Sequence, residues 1–165
     1  TRKESSAASD VYKRQFRNLS VKSNILGVAE RNFLKKEDLI NFYQNTIKEF
    51  GLESIEDSMG YVLSGGQRRK VEIARCLASK PKLILLDEPF AGIDPLAIED
   101  IKNVLKSLAD KGICILITDH NLRETIDICN YSIVIKDGSI LDKGEKDYLI
   151  NSSLIKEEYF GTVFD

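Results

Sequence analysis

The stretch Leu63-Ser64-Gly65-Gly66-Gln67 carries the strongest structural signal in this chain of 165 residues. Ser64 and Gln67 match the Ser-x-x-Gln capping box, which predicts that a helix begins directly after Ser64. The two glycines between them allow a tight turn, and the first N–H groups of a helix have no partner within the helix. Because the helix dipole is positive at the same end, these N–H groups favour a bound anion. The stretch therefore predicts a phosphate-binding helix N-terminus.

A second stretch follows after the length of one helix. Residues 83–89, Leu-Ile-Leu-Leu-Asp-Glu-Pro, predict a short buried strand that ends in two carboxylates, Asp87 and Glu88. Open α/β sheets bind their ligands at the carboxyl ends of strands. Phosphate-binding N–H groups and metal-binding acids are therefore expected close together in the sequence.

The segment 82–118 has the pattern of a β-α-β unit. It consists of a strand over 82–87, a helix with Asp94 as its N-cap and proline at its first position, and a strand over 113–118. Such crossovers are right-handed in nearly all proteins, so the strands should be parallel with their carboxyl ends at one edge. Glu88 and His120, which each follow one strand, are thereby expected to lie close together.

Two more elements are predicted from local patterns. An amphipathic helix that ends before Gly51 is indicated by apolar residues at helical spacing, namely Leu39, Tyr43, Ile47 and Phe50. Asp137-Gly138, between the apolar runs 131–136 and 139–142, predicts a β-hairpin with a two-residue turn.

Composition limits the classes of function. With 42% hydrophobic residues the chain can form one ordinary core, so one domain or a piece of one is expected. A net charge of −2 and a pI near 5.6 provide no basic surface for nucleic acid. The apolar runs are too short to cross a bilayer, and no secretory signal is present. Three cysteines without a Cys-x-x-Cys pair are typical of a reducing compartment, so we expect a cytoplasmic protein.

Four motifs, in the same order and at plausible separations, resemble those of the ATP-binding-cassette (ABC) ATPases. Leu-Ser-Gly-Gly-Gln resembles the signature motif, Asp87-Glu88 the end of Walker B, residues 91–94 the D-loop, and His120 the switch histidine. The runs 57–75 and 89–92 are similar to one branch of the family, the ATPase subunits of lipopolysaccharide-export transporters. The resemblance extends over about residues 16–165. It implies an α/β fold, the C-terminal part of a P-loop NTPase domain of the ABC type.

This resemblance divides the chain into four parts. They are a disordered or non-native leader (1–15), a helical subdomain with the signature motif (16–80), a partial P-loop NTPase core (81–144), and a C-terminal helical tail (145–165). In the family, the strand that leads into the P-loop lies between the strands matching 113–118 and 131–136. The motif Gly-x-x-x-x-Gly-Lys-Ser/Thr does not occur in the sequence, so these two strands should not pair directly.

The resemblance also implies ATP and Mg²⁺ as cofactors and gives roles to single residues. Asp87 would hold Mg²⁺, Glu88 would polarise the attacking water, and His120 would contact the γ-phosphate. The residues that would bind the ATP held by a second copy are Ser64, Gly65, Gly66 and Gln67. Asp94 would sense that copy. The parent protein is thus expected to be an ATPase, whereas these 165 residues alone should be inactive.

The implied partners are a second copy of the subunit and the permease subunits of a transporter. Phe16 and Arg17 follow the Q-loop in the family and are candidate permease contacts, although Phe16 could equally pack within a helical layer. The protein would then be peripheral on the cytoplasmic face of the inner membrane.

Three other interpretations stay open. An ATPase subunit of a branched-chain amino-acid importer shares many of these motifs. A cassette-like head of a DNA-repair ATPase would normally carry long heptad coiled coils, which the sequence lacks. The third alternative is a non-catalytic interaction fragment.

Overall fold

A computed structural model describes residues 17–160, and of Phe160 only the backbone. The described residues form two compact units, the first made of 17–84 and 92–116 and the second of 85–91 and 117–160. The proposed leader, residues 1–15, lies outside the described residues, and the four-part division of the chain stays a prediction.

Four α-helices build most of the first unit. They are α1 (Val21–Ala29), α2 (Lys36–Glu49), α3 (Gly65–Leu77) and α4 (Pro95–Asp110), with a 3₁₀ turn at Glu53–Ile55. Helix α1 packs against α2 and α3, and α3 also packs against α4. The fully buried side chains of this unit include Ile25, Phe50, Leu52, Ile73, Ile101, Leu105 and Leu108. Burial of one such side chain contributes about 1.5–3 kcal/mol, so these faces hold the helices together.

The helix ends follow the sequence signals. Helix α2 ends with Phe50 as its C-cap, followed by Gly51 at φ +59°. That left-handed conformation suits glycine, which has no Cβ. Helix α4 begins with Pro95 at its first position, and the Asp94 carboxylate accepts the N–H of Ala97 at 3.0 Å. The predicted ends of both helices are confirmed.

Strands β1 and β2 form a two-stranded sheet. The four strands within 17–160 are β1 (Leu83–Asp87), β2 (Cys114–Thr118), β3 (Ser132–Lys136) and β4 (Ser139–Gly144). At the start of this sheet the N–H of Cys114 donates to the carbonyl of Lys82 at 3.0 Å. At its end the N–H of Glu88 donates to the carbonyl of Thr118 at 2.7 Å. The two strands therefore run in the same direction, as predicted.

One face of this sheet carries exposed apolar side chains. Along β1, Ile84 and Leu86 are buried, whereas Leu83 and Leu85 remain 50% and 67% exposed. On β2, Leu116 is 56% exposed. Parallel sheets are usually covered on both faces. The exposed leucines show that, within the described residues, this sheet is covered on one face only.

Strands β3 and β4 form an antiparallel hairpin, which confirms the signal of Asp137-Gly138. Both turn residues have positive φ, +49° and +77°, as a type I′ turn requires. The register is irregular between Val134 and Ile135, and β4 continues to Gly144, two residues beyond the predicted 139–142. The hairpin is separate from the β1–β2 sheet, and no ladder in the described part of the chain joins β2 to β3.

The second unit is completed by short helical segments. They are α5 (Leu122–Ile128), α6 (Lys146–Asn151), α7 (Ser153–Ile155) and a π-helical turn (Lys156–Phe160). Its core is a cluster of four buried side chains, Ile126, Val134, Leu149 and Ile155. The cluster packs the hairpin against α5, α6 and α7. None of the helices within residues 17–160 has the length and apolar character that a membrane span requires.

Candidate functional site

The chain turns sharply where β1 ends. Glu88 follows the last strand residue and has φ +47°, a left-handed conformation that costs a residue with a Cβ roughly 1 kcal/mol or more. Its N–H donates to the Thr118 carbonyl at 2.7 Å, and its carbonyl accepts the N–H of Ala91 at 3.2 Å. These two hydrogen bonds hold the turn, and the Glu88 side chain is left 56% exposed. A ligand can therefore reach this carboxylate.

Asp87 is fixed by the neighbouring strand. The Thr118 hydroxyl donates to its Oδ1 at 2.6 Å, which orients the carboxylate. No cluster of three or more His, Cys, Asp or Glu side chains suited to a metal is present among the described residues. A single oriented carboxylate nevertheless fits Mg²⁺, because this ion keeps several waters and is often held by one or two carboxylates together with substrate phosphates. The binding of Mg²⁺ by Asp87 stays a prediction.

His120 lies beside Glu88, as the β-α-β pattern predicted. Its Nδ1 is 3.3 Å from Glu88 Oε1, and the two side chains are 73% and 56% exposed. A contact between two side chains this exposed contributes little to stability. The arrangement instead leaves an imidazole and a carboxylate accessible at the ends of two parallel strands. Their roles in catalysis stay predictions.

Asp119 was missed by the sequence interpretation. Its side chain is fully buried, with Oδ1 3.7 Å from Nδ1 of His120. Oδ2 accepts the N–H of Phe90 at 3.2 Å, and Oδ1 accepts the N–H of Asn121 at 2.8 Å. The carboxylate thus joins the loop after β1 to the loop after β2. An acid directly before the only histidine of the chain was the available signal.

The signature stretch lies in the first unit and begins α3 as predicted. The Ser64 hydroxyl accepts the N–H of Gln67 at 3.2 Å, and the Gln67 side chain accepts the N–H of Ser64 at 3.0 Å. This capping box leaves the N–H groups of Gly65 and Gly66, the first two of the helix, without intrahelical partners. These two N–H groups fit an anionic ligand.

The same glycines pack against the D-loop and the start of α4. A Cβ on Gly65 would lie 3.1 Å from the carbonyl oxygen of Gly92. A Cβ on Gly66 would lie 2.5 Å from the Cβ of Ala97, closer than real Cβ atoms approach. Close packing is therefore a second reason for glycine at both positions. The Asp94 carboxylate caps α4. Its role in sensing a second copy of the subunit stays a prediction.

The candidate permease contacts are only partly described. Phe16 lies outside the described residues. Arg17 is exposed, and its carbonyl accepts the N–H of Tyr61 at 2.9 Å. Its side chain is therefore accessible at the surface of the first unit, and contact with a partner stays a prediction.

Comparison with known proteins identifies the family. The sequence profile described as ABC transporter matches residues 1–91, more than half of the chain. The chain belongs to the ABC transporter family.

Relatives within the family are more specific. The chain is 43% identical over 150 residues to the lipopolysaccharide export system ATP-binding protein LptB of Haemophilus influenzae. It has the same identity to LptB of Escherichia coli K12. Each alignment covers 90% of this chain and 62% of the relative, so the chain spans about 62% of the length of these proteins.

Solved structures confirm the fold. The ADP conformation of MJ1267, an ATP-binding cassette of an ABC transporter, has a TM-score of 0.72 and 26% identity, covering 90% of this chain and 65% of that one. For cbiO1 from Clostridium perfringens, part of the ABC transporter complex cbiONQ, the TM-score is 0.77 and the identity 27%. That alignment covers 88% of this chain and 58% of cbiO1. The expected α/β fold, a part of an ABC cassette, is confirmed.

Proposed function

We propose that the whole protein is the ATP-hydrolysing subunit of an ABC transporter that moves lipopolysaccharide from the inner membrane towards the outer membrane. The observation that carries the activity is the Glu88–His120 pair, at the ends of two parallel strands and next to Asp87. The cargo is inferred from the relatives named lipopolysaccharide export system ATP-binding protein. Because the chain spans 62% of their length, the activity is assigned to the whole protein.

The acidic residues after β1 have separate roles in this proposal. Asp87, oriented by Thr118, would hold Mg²⁺ bound to the nucleotide. Bound Mg²⁺ supplies positive charge that offsets the charge developing on the phosphate oxygens. Glu88 polarises the attacking water, since its carboxylate is exposed and its backbone is held rigidly. His120, beside it, donates a hydrogen bond to the terminal phosphate.

The signature helix acts on a different nucleotide. The N–H groups of Gly65 and Gly66, with the helix dipole behind them, bind the phosphates of the ATP held by a second copy of the subunit. Ser64 and Gln67 keep the helix end in this geometry through their reciprocal hydrogen bonds. Asp94, next to the same surface, senses the second copy. The functional assembly is therefore a homodimer that closes on ATP.

The remaining partners are the permease subunits of the transporter. Phe16 and Arg17 are proposed as contacts to them, because their segment resembles the one that follows the Q-loop in the family. The assembly would be peripheral on the cytoplasmic face of the inner membrane. The names of the LptB relatives describe the ATP-binding protein of an export system, which supports a role as one component of a larger assembly.

The test uses a length-restored protein, in which this chain is joined to the part of E. coli LptB that it does not cover. We expect it to release phosphate from ATP. Glu88→Gln should lower the rate by about 10²- to 10⁴-fold, the usual contribution of a general base. Glu145→Gln, an exposed carboxylate in the same unit without a capping bond, serves as the matched control.

The cargo is tested separately in cells. The length-restored protein should support growth of E. coli depleted of its own LptB and restore lipopolysaccharide to the outer membrane. Rapid ATP turnover without such rescue would support the ATPase activity but contradict lipopolysaccharide as the cargo. Equal rates for Glu88→Gln and Glu145→Gln would contradict the catalytic role itself.

A further inference from the structure

We propose that Asp119 is a positioning residue that holds Glu88 and His120 in their working arrangement. Its catalytic meaning rests on the proposed function, in which Glu88 and His120 act on ATP. The residue touches neither nucleotide nor metal in the proposal, and it acts through the two loops that it connects.

Three consecutive residues at the end of β2 each hold one part of the loop after β1. Thr118 binds the Asp87 carboxylate through its hydroxyl and the Glu88 N–H through its carbonyl. Asp119 accepts the N–H of Phe90, and His120 lies 3.3 Å from the Glu88 carboxylate. Thr118 fixes the beginning of the loop and Asp119 its end. Glu88 therefore lies between two fixed points.

Burial makes the Asp119 contacts specific. A carboxylate removed from water is costly unless hydrogen bonds replace its hydration. The Asp119 side chain is fully buried, and it receives two backbone N–H donors, from Phe90 and Asn121. These contacts require an acceptor at both oxygens. Asparagine offers only one acceptor, and its amide nitrogen would face the second N–H donor.

The consequence for the site is geometric. Glu88 has φ +47°, and such a conformation persists only where the surroundings enforce it. Without the bond from Phe90 to Asp119, the loop can relax and the Glu88 carboxylate can move away from His120. A misplacement of about 1 Å can cost roughly 100-fold in rate. Asp119 therefore determines how closely the Glu88 carboxylate is kept in position beside His120.

The variants are made in the length-restored protein. Asp119→Asn removes one acceptor at constant size. Asp119→Ser is a second variant, because its hydroxyl can accept one N–H without placing an amide donor against the other. Asp137→Asn is the matched control, since it is the same change in the same unit and Asn-Gly also suits the hairpin turn.

Three measurements are compared. In both Asp119 variants, hydrogen exchange at the Phe90 and Asn121 amides should accelerate. The kcat for ATP should fall about 10- to 100-fold, the usual effect of removing a residue that orients a site from behind. The KM for ATP should stay unchanged. In the His120→Ala background, Asp119→Asn should cost much less than it does alone, since part of its effect passes through His120. Asp137→Asn should change none of these values.

Distinct outcomes separate this inference from the proposed function. The inference is overturned if the Asp119 variants match Asp137→Asn in kcat, if amide exchange at Phe90 stays slow, or if the losses with His120→Ala are additive. A variant that melts at a lower temperature but keeps kcat also overturns it, because the role is then structural. If the length-restored protein shows no ATP turnover that Glu88→Gln lowers, the proposed function is contradicted. Hydrogen exchange at the Phe90 amide then still shows whether Asp119 connects the two loops.

Discussion

Gly66 lies so close to Ala97 that a Cβ on the glycine would stand 2.5 Å from the Cβ of the alanine. The contact joins the first turn of α3 to the first turn of α4. The sequence indicates glycine at this position for an approach to phosphate, whereas the fold demands it for packing as well. A substitution at Gly66 therefore changes two properties, and a second substitution is needed to separate them.

Gly66→Ala should destabilise the length-restored protein by about 1–3 kcal/mol, the usual cost of an overpacked contact. The double variant Gly66→Ala, Ala97→Gly should recover most of that free energy of unfolding, less up to about 1 kcal/mol for glycine within a helix. Denaturant unfolding measures both. Equal stability of the single variant and the unmodified protein would contradict the contact.

The double variant also tests the phosphate interpretation of the signature stretch. If the Gly66 backbone must approach the ATP of the second copy, ATP turnover should stay low although stability returns. Phosphate release is measured for the double variant and the unmodified protein under conditions where both are folded. The result decides whether Gly66 is needed for the approach to phosphate or only for packing against Ala97. Full recovery of turnover would show that the glycine serves packing alone.

The chain of 165 residues should not hydrolyse ATP by itself. Its sequence contains no Gly-x-x-x-x-Gly-Lys-Ser/Thr motif, whose backbone and lysine bind the phosphates in this family. A phosphate-release assay on the chain, with the Glu88→Gln variant beside it, measures this directly. Turnover that disappears in Glu88→Gln would show that the retained residues suffice.

Local signals in the sequence predicted local structure well. The capping box at Ser64, the Asp94 cap of α4 and the Asp137-Gly138 turn are each decided by residues a few positions apart. Their hydrogen bonds form within one turn of chain, so a short pattern is enough to specify them.

Contacts between distant parts of the chain could not be predicted in this way. Asp119 binds the N–H of Phe90, which is 29 positions away, and nothing in either local pattern shows that they meet. The approach of Gly66 to Ala97 depends on how two helices pack. The juxtaposition of Glu88 and His120 was predictable only because the β-α-β crossover fixes which strand ends share an edge.

Acid stability should depend on Ser152. Its hydroxyl donates to the Asp142 carboxylate, which lowers the pKa of that carboxyl, with a smaller contribution from the N–H of Lys143. A lowered pKa in the folded state contributes stability above the unfolded pKa, near 3.9, and this stability is lost as the pH falls through the folded pKa.

Ser152→Ala should raise the pKa of Asp142 towards its usual value. The stability that Asp142 contributes above its unfolded pKa should then become smaller, and the free energy of unfolding should depend less steeply on pH in the acid range. Carboxyl NMR titration of Asp142 in the length-restored protein measures the shift, with the exposed neighbour Ser153→Ala as the control. Identical titrations of both variants would contradict the hydrogen bond.

The apolar side chains left exposed on both sheets have a consequence for the isolated chain. On the β1–β2 sheet these are Leu83, Leu85 and Leu116, and on the hairpin Ile133, Ile135 and Ile140, each at least 50% exposed. Unpaired strand edges and contiguous apolar surface promote aggregation. We therefore expect the chain alone to be poorly soluble or partly molten, and its thermal transition to be broad.

Cys114 tests whether the length-restored protein covers this surface. It is exposed on β2, two positions from the exposed Leu116, whereas burial raises the pKa of the Cys129 thiol and slows its reaction. In the isolated chain, iodoacetamide should therefore modify Cys114 before Cys129. In the length-restored protein, the segment supplied by the relative should cover β2 and slow the reaction of Cys114, while the reaction of Cys129 stays as it was. A sharp, high-temperature melt of the isolated chain, together with an unchanged rate at Cys114, would show that this surface needs no further cover.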